Sequence, residues 1–410
     1  MAVSQEFAPP FKLIAPYFIL GVIAFVISVL SLFGFNIINL TYQDISVLSW
    51  AHLFLLGFVM MVIFGAMAQL IPVVLEVGHF AVELYYVIYP LLFAGMVMMV
   101  AGFKFVPALL PYGGSVVLIA LLIFIFETFM TIRKVKKFNL VITSVAIANG
   151  FLLLGLIFGI LMALGFAGVI SIDFTSLLRA HVFLVLVGYV GITIMGMSMI
   201  LLPMFWLSHS YSDKNVTYAL WFISIGVIIE VISSIINSQI LEYTGYFLTI
   251  VALGLYFCQM YVIYKTRVRT DKDIYLKSMI FAYVSLIVTL VTLTLAIFLH
   301  TTSLILAVGW IAFFGYIGFM ITGHLYKIVP FLVWYERFSP LVGKEKVPML
   351  ADMLPKKSAN LQFIFSASGI AVGYFGLLLR DNTIFHIGVY ALSIGSIFVL
   401  KDLLYMIRFK

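Results

Sequence analysis

The chain has 410 residues, of which 64% are hydrophobic and only 10% are charged. A soluble domain needs far more charge on its surface, so the composition excludes a soluble protein and indicates an integral membrane protein. The net charge of +7 is accounted for by predicted inner loops facing lipid headgroups, and it does not indicate nucleic-acid binding. The single cysteine, Cys258, excludes a disulfide within the chain and a cluster of thiolate metal ligands.

Apolar stretches long enough to cross the hydrocarbon layer as helices recur along the whole chain. Twelve such spans are predicted, near residues 12–35, 47–75, 84–103, 113–132, 139–166, 176–206, 216–238, 244–265, 275–299, 303–334, 361–380 and 383–406. The predicted fold class is therefore an all-α membrane protein with twelve transmembrane helices.

The basic residues are distributed unequally between the two sides of the membrane. Lysine and arginine are abundant after spans 4, 8 and 10, whereas the opposite side carries only Lys104, Arg179 and Arg380. Because cytoplasmic loops carry the excess of basic residues, both termini are expected in the cytoplasm and the chain in the inner membrane. Residues 1–16 lack the pattern of a cleavable signal peptide, so the first span is expected to remain.

One pattern, Gly-x7-Gly-x6-Pro, occurs three times at nearly equal intervals. The copies are Gly57/Gly65/Pro72, Gly188/Gly196/Pro203 and Gly315/Gly323/Pro330. They fall in spans 2, 6 and 10, where glycines thin one face of each helix. The repeat predicts a single transmembrane domain of three four-helix units related by a pseudo-threefold axis, with boundaries near 1–137, 138–272 and 273–410. The three motif helices are expected to line its centre.

Two of these motif helices carry a histidine in their outer half. His52 lies 20 residues before its motif proline and His181 lies 22 residues before its own. On an α-helix the two-residue difference is a rotation of about 200°, which would turn the two side chains toward one shared groove between spans 2 and 6. Neutral imidazoles suit haem iron between apolar helices, so both are predicted axial ligands of one haem. The alternative is that each ring simply bonds a backbone carbonyl.

The other histidines are given less specialised roles. His79 and His209 are interpreted as exposed loop residues, and His300 and His386 as interfacial residues at the outer ends of their spans. The rise per residue of an α-helix would place His324 about 21 Å nearer the cytoplasm than His52. His324 is therefore expected to be structural or to handle protons.

Two acids lie inside predicted spans. Glu127 is near the inner end of span 4, where it is expected to reach the interface. Glu230 has apolar neighbours in the outer half of span 7. An isolated carboxylate there is costly, so Glu230 is expected to have a partner or to stay protonated, and it is a candidate pocket or proton-carrying residue.

Several stretches resemble the haem–copper oxidase subunit I superfamily, in particular its short, single-subunit oxidase-like members. Residues 52–57 and 65–72 resemble helix 2 of that family, where a histidine ligates the low-spin haem. Residues 309–315 resemble part of helix 10, and residues 324–334, His-Leu-Tyr-Lys-Ile-Val-Pro-Phe-Leu-Val-Trp, resemble its late segment. The resemblance covers the whole chain and implies the twelve-helix oxidase fold and a haem b.

The chain departs from that family at the metal ligands. Val308 and Trp310 stand where helix 10 normally carries its haem histidines, and span 7 lacks the histidine pair that binds copper. Oxygen reduction at a haem–copper centre is therefore not expected, nor is copper. What remains is the predicted clamp of one haem by His52 and His181, between helices 2 and 6.

The resulting hypothesis is a membrane protein with one haem b or more, acting in electron transfer, gas binding or the nitric-oxide response. Its expected partners are haem, the lipid bilayer, a redox partner or quinone, and a second copy of the chain in a homodimer. A membrane transporter and a cofactor-free accessory or assembly factor of a respiratory complex are the alternatives. Transporters usually repeat in halves rather than thirds.

Overall fold

The structure, a computed structural model, describes residues 7, 9–209, 211–299 and 303–410. Within them, twelve helices are long and apolar enough to cross a membrane, which confirms the predicted all-α membrane fold. These helices are α1 (Phe11–Gly34), α2 (Ile45–Leu75), α3 (Val82–Lys104), α4 (Leu109–Ile132), α5 (Leu140–Phe166), α6 (Phe174–Trp206), α7 (Lys214–Ile236), α8 (Gln239–Lys265), α9 (Ile274–Phe298), α10 (Leu304–Arg337), α11 (Lys356–Leu379) and α12 (Asn382–Ile407). His300 and the first six residues of the predicted cytoplasmic N-terminus lie outside the described residues.

Helix ends differ most from prediction where polar residues continue a helix beyond its apolar stretch. Helix α8 begins at Gln239 rather than near 244, and α11 begins at Lys356 rather than near 361. Hydropathy detects only the part of a helix in contact with hydrocarbon. A further polar turn in the headgroup region therefore goes unseen.

The three motif helices each contain a π-helical segment at the same place in the repeat. The segments are Leu53–Met60 in α2, Phe183–Gly191 in α6 and Ile311–Gly318 in α10, and each contains the first glycine of its motif copy. A π-helix bonds residue i to i+5 and is rare outside single-turn bulges, which are often found at functional sites. Its recurrence at three matching positions therefore follows the sequence repeat.

The second glycine of each motif copy packs against the first helix of its own predicted repeat unit. A Cβ atom at Gly65 would lie 2.7 Å from Tyr17 Cβ of α1, and one at Gly323 would lie 2.7 Å from Ser278 Cβ of α9. At Gly196 the added atom would overlap Ser144 Oγ of α5. Glycine is required because the two helices approach too closely for a side chain.

The chain forms two compact units. The first comprises Met1–Ala8 and Ala68–Thr270, and in it α3 packs on α4, α5 on α6, and α7 on α8. The second comprises Pro9–Met67 and Asp271–Lys410, in which α1 packs on α2 and α12, and α9 packs on α10. The boundary between residues 270 and 271 lies two residues before the predicted one, whereas the boundary between residues 67 and 68 divides α2. The three-unit arrangement about a threefold axis stays a prediction.

Candidate functional site

His52 lies in the second compact unit, immediately before the π-helical segment of α2. Its Nδ1 atom lies 2.8 Å from the carbonyl oxygen of Leu48, one turn earlier in the same helix. Because a carbonyl only accepts, Nδ1 carries the ring proton of a neutral imidazole and Nε2 carries the lone pair. The side chain is half-buried.

His181 lies in the first compact unit, two residues before the π-helical segment of α6. Its Nδ1 atom lies 2.9 Å from the carbonyl oxygen of Gly155 in α5, so it too donates from Nδ1. Gly159 leaves the ring its space, because a Cβ atom there would lie 3.1 Å from His181 Cε1. Each ring therefore bonds a backbone carbonyl, as the alternative to haem ligation expects. The resulting Nδ1–H tautomer is also the one that metal-bound histidines adopt when a carbonyl holds the other nitrogen.

The predicted shared groove depends on the rotation per residue of a regular α-helix, and these two helices are not regular throughout. A π-helical segment of eight residues separates His52 from its proline, and one of nine residues separates His181 from its own. The wider turns change the rotation per residue, so a two-residue difference does not give 200°. Each histidine is described in its own unit, and their joint ligation of one iron stays a prediction.

Among the described residues, no group of three or more histidine, cysteine, aspartate or glutamate side chains is placed to hold a metal ion. A haem iron would need only two histidine side chains, because the macrocycle provides the other four ligands. The expectation that copper is absent stays a prediction.

Aromatic rings fill the contact between α2 and α10 in the second unit. The ring centroids of Phe54 and Phe313 are 5.6 Å apart, and those of Phe54 and Phe314 are 5.1 Å apart. Trp50 stacks on Phe313 at 5.9 Å and donates its indole N–H to the Ser28 carbonyl of α1 at 3.0 Å. This is the contact where the oxidase resemblance would have placed a low-spin haem.

Trp310 completes this packing at one of the two positions where the resemblance expects a histidine. Its Nε1 donates to the carbonyl of Ile370 in α11 at 2.8 Å, and its ring packs edge-on against Phe314 at 4.8 Å. The side chain is 5% exposed, and its ring occupies the space in front of Gly373. The residue is thus an integral part of the core of the second unit.

Glu230, a predicted pocket acid, is fully buried in the first unit and has a charged partner. Arg179 Nε lies 3.0 Å from Glu230 Oε1, and Arg179 Nη1 lies 2.7 Å from Glu242 Oε2. The Nε–H of Arg179 is directed at Ser234 Oγ, 3.1 Å away, and neither oxygen of Glu230 accepts a hydrogen bond from the described residues. Glu230 is therefore held by charge alone, whereas Glu242 also accepts a hydrogen bond from Tyr246 at 2.9 Å.

The helix that carries Arg179 and His181 is capped by Asp173. A hydrogen bond from the Ser176 hydroxyl, followed by one from the Ser176 amide, lowers the pKa of the Asp173 carboxyl. The Ser176 hydroxyl lies 2.6 Å from Asp173 Oδ2. An ionised cap at the N-terminus of α6 fixes the turn from which Arg179 and His181 extend.

His324, the second predicted proton residue, is buried in the second unit with both ring nitrogens engaged. Nδ1 donates to the Met320 carbonyl at 2.7 Å, and Nε2 accepts from the Tyr275 hydroxyl at 3.2 Å. The neighbouring Lys327 pairs at 2.7 Å with Asp273, which lies at the N-terminus of α9. The arrangement is that of a neutral imidazole that links α10 to α9.

A further buried pair, His79 and Glu127, was misjudged from the sequence. The interpretation of His79 as an exposed loop residue is wrong, because its side chain is 3% exposed and its Nδ1 lies 2.9 Å from Glu127 Oε1. Glu127 does not reach the interface either, since it is fully buried and accepts from Thr131 Oγ1 at 2.8 Å. The loop after α2 turns inward, and the only sequence signal was the i, i+4 spacing of Glu127 and Thr131 on one face of α4. His209, by contrast, is exposed as predicted.

Comparison with models of known protein families finds no match, and comparison with curated proteins finds no significant relative.

Proposed function

We propose that the chain is a haem b-binding integral membrane protein of oxidase subunit I-like fold without the copper centre, acting in electron transfer, gas binding or the nitric-oxide response. The observation that carries the proposal is the matching state of its two outer-half histidines. His52 and His181 each donate Nδ1 to a main-chain carbonyl and keep the lone pair on Nε2. Two imidazoles so oriented are the donor set of a bis-histidine haem.

Under this proposal the side chains divide into ligands and proton-holding groups. His52 and His181 would hold the iron through Nε2, and the carbonyls of Leu48 and Gly155 fix their rings against rotation. A bound haem b supplies one-electron redox chemistry. Glu230, beside the Arg179 guanidinium, is the candidate to hold a proton in the outer half, and His324 is the candidate in the inner half.

The absorption spectrum of protein purified from haem-replete cells tests the proposal directly. A Soret band with about one haem b per chain, measured by pyridine haemochrome, is the expected result. Protein that is monodisperse and thermally stable yet lacks Soret absorbance would overturn it. Stoichiometric copper with cyanide-sensitive oxygen uptake would overturn the part of the proposal that excludes an oxidase centre.

One observation favours a second candidate, a cofactor-free accessory partner of a respiratory complex. Phe54, Phe313 and Phe314 fill the contact between α2 and α10, and Trp310 is bonded into it. A fold that closes one haem position with aromatic rings could close the others too. A colourless, stable preparation that co-purifies with subunits of a respiratory complex would favour this candidate over the haem protein.

A further inference from the structure

A cavity lies between the ends of α11 and α12 on the membrane side that carries the basic loops. Its volume is about 750 Å³, and its walls come from α11, α12 and the segment 351–355 that leads into α11. All of these belong to the second compact unit.

Three lysines stand around this cavity. Lys356 and Lys357 form the first turn of α11, and Lys401 extends from α12, with its Nζ 3.3 Å from Ser358 Oγ. Asp352 and Asp402 are the carboxylates that line the cavity among the described residues, so three positive and two negative charges leave a formal net charge of +1. The cavity therefore favours a ligand with a single negative charge.

The same cavity receives the N-terminus of a 24-residue helix. Pro355 occupies the N-cap of α11 and provides no side-chain hydrogen bond to the first turn. An uncapped helix N-terminus presents backbone N–H groups and a partial positive charge, and it is suited to a phosphate group.

A buried carboxylate at the wall of the cavity calls for a hydrogen-bond donor. Asp402 is 0% exposed, and its Oδ2 accepts from the Tyr326 hydroxyl of α10 at 2.7 Å. Its Oδ1 has no partner in good hydrogen-bonding geometry among the described residues, although the Ser358 hydroxyl lies beside the carboxyl group. A buried acceptor is costly to leave unsatisfied, so the ligand should carry a hydroxyl or ammonium donor beside its phosphate.

Apolar surface continues from the cavity along the two helices. Leu361 of α11 and Tyr405 of α12 line the cavity and are 43% and 46% exposed. On membrane-spanning helices such exposed side chains face acyl chains, so the cavity joins a headgroup site to a path for lipid tails. A free phosphate ion would use only the polar part of this surface.

From the three lysines, the open end of α11 and the unsatisfied Asp402 oxygen, we propose that this cavity binds the headgroup of an anionic phospholipid of the phosphatidylglycerol type. The phosphodiester lies against Lys356, Lys357 and Lys401, and the glycerol hydroxyls donate to Asp402. Basic pockets between membrane helices on the cytoplasmic side are a known mode of lipid headgroup binding. The site is independent of the proposed haem function.

Native mass spectrometry of the delipidated full-length protein tests this inference. Dioleoyl phosphatidylglycerol should bind about tenfold more tightly than dioleoyl phosphatidylcholine, with one lipid per chain saturating first. The double variant K356Q/K357Q should weaken that first binding by about fivefold or more, as expected for lysines at a headgroup. The matched control K344Q/K346Q removes two exposed lysines that do not line the cavity, and it should change the affinity less than about twofold.

Other outcomes would overturn the inference. Equal binding of phosphatidylcholine, or equal weakening by the control double variant, would show nonspecific attraction. Thermal stabilisation by millimolar inorganic phosphate that matches and competes with phosphatidylglycerol would assign the cavity to a soluble phosphate. Asp402→Asn should reduce the preference for phosphatidylglycerol over phosphatidic acid, which lacks the glycerol hydroxyls, and an unchanged preference would contradict the assigned role of Asp402.

Discussion

His79 Nδ1 lies 2.9 Å from Glu127 Oε1, and the pair joins the loop after α2 to the C-terminal end of α4 within the first unit. His79 Nε2 lies 2.7 Å from the Ala68 carbonyl and donates to it. Glu127 Oε1 also accepts from the Phe80 amide at 3.1 Å. With donors around the acid and acceptors at both ring nitrogens, the geometry fits a carboxylate paired with an imidazolium.

Removing one partner of this pair should destabilise the protein strongly. We expect Glu127→Ala to lower the free energy of unfolding by about 3–5 kcal/mol, because the His79 charge is left buried without its counter-ion. The measurement is the apparent unfolding midpoint in detergent, compared with Glu83→Gln, which alters an exposed acid. In the double variant His79→Ala/Glu127→Ala, strictly additive losses would contradict a direct coupling between the two side chains.

Arg179 should be more important for stability than the acid it faces. In Arg179→Gln, Glu230 and Glu242 lose their shared counter-charge, and we expect a marked fall in the unfolding midpoint. Glu230→Gln alone should cost less, because Arg179 is partly exposed and keeps its charged hydrogen bond to Glu242. The double variant Arg179→Gln/Glu230→Gln should recover much of the loss. If adding Glu230→Gln brings no recovery, the charge argument fails.

The close contact at Gly196 should tolerate no side chain. Gly196→Ala places a methyl group on Ser144 Oγ of α5, and we expect a loss of about 1–3 kcal/mol from overpacking. Gly150→Ala in α5 is the control, because no heavy atom lies within 4 Å of its added Cβ. Ser144→Gly should restore Gly196→Ala to near its parent, and failure of that rescue would place the strain elsewhere.

Substitution of the two predicted haem ligands should change the spectrum of the purified protein. His52→Ala and His181→Ala should each lose haem or convert a six-coordinate, low-spin iron into a high-spin, ligand-binding one. His209→Ala, which removes an exposed histidine, should leave the spectrum unchanged. A spectrum altered by His52→Ala and untouched by His181→Ala would replace the two-histidine clamp with a single-ligand haem.

The sequence alone was sufficient for the number of spans and for the close helix contacts at the motif glycines. Twelve apolar runs predict twelve spans, because a helix in hydrocarbon must be apolar along nearly its whole length. The motif glycines Gly65, Gly196 and Gly323 also indicated close helix contacts, because glycine in a membrane helix lets a neighbouring backbone approach closely. The expected need of Glu230 for a partner follows from the cost of an isolated charge in lipid.

Only the tertiary structure decided which groups meet and which way a side chain turns. Hydropathy does not indicate whether a loop folds inward, so it did not predict the burial of His79 against Glu127. Counting residues assumed a uniform α-helix, and the π-helical segments beside His52 and His181 change that rotation without altering the apolar pattern. The bond from Trp310 to the Ile370 carbonyl depends on a neighbour 60 residues away. Composition and periodicity report a residue's local solvent, whereas such pairings are fixed by how distant helices pack.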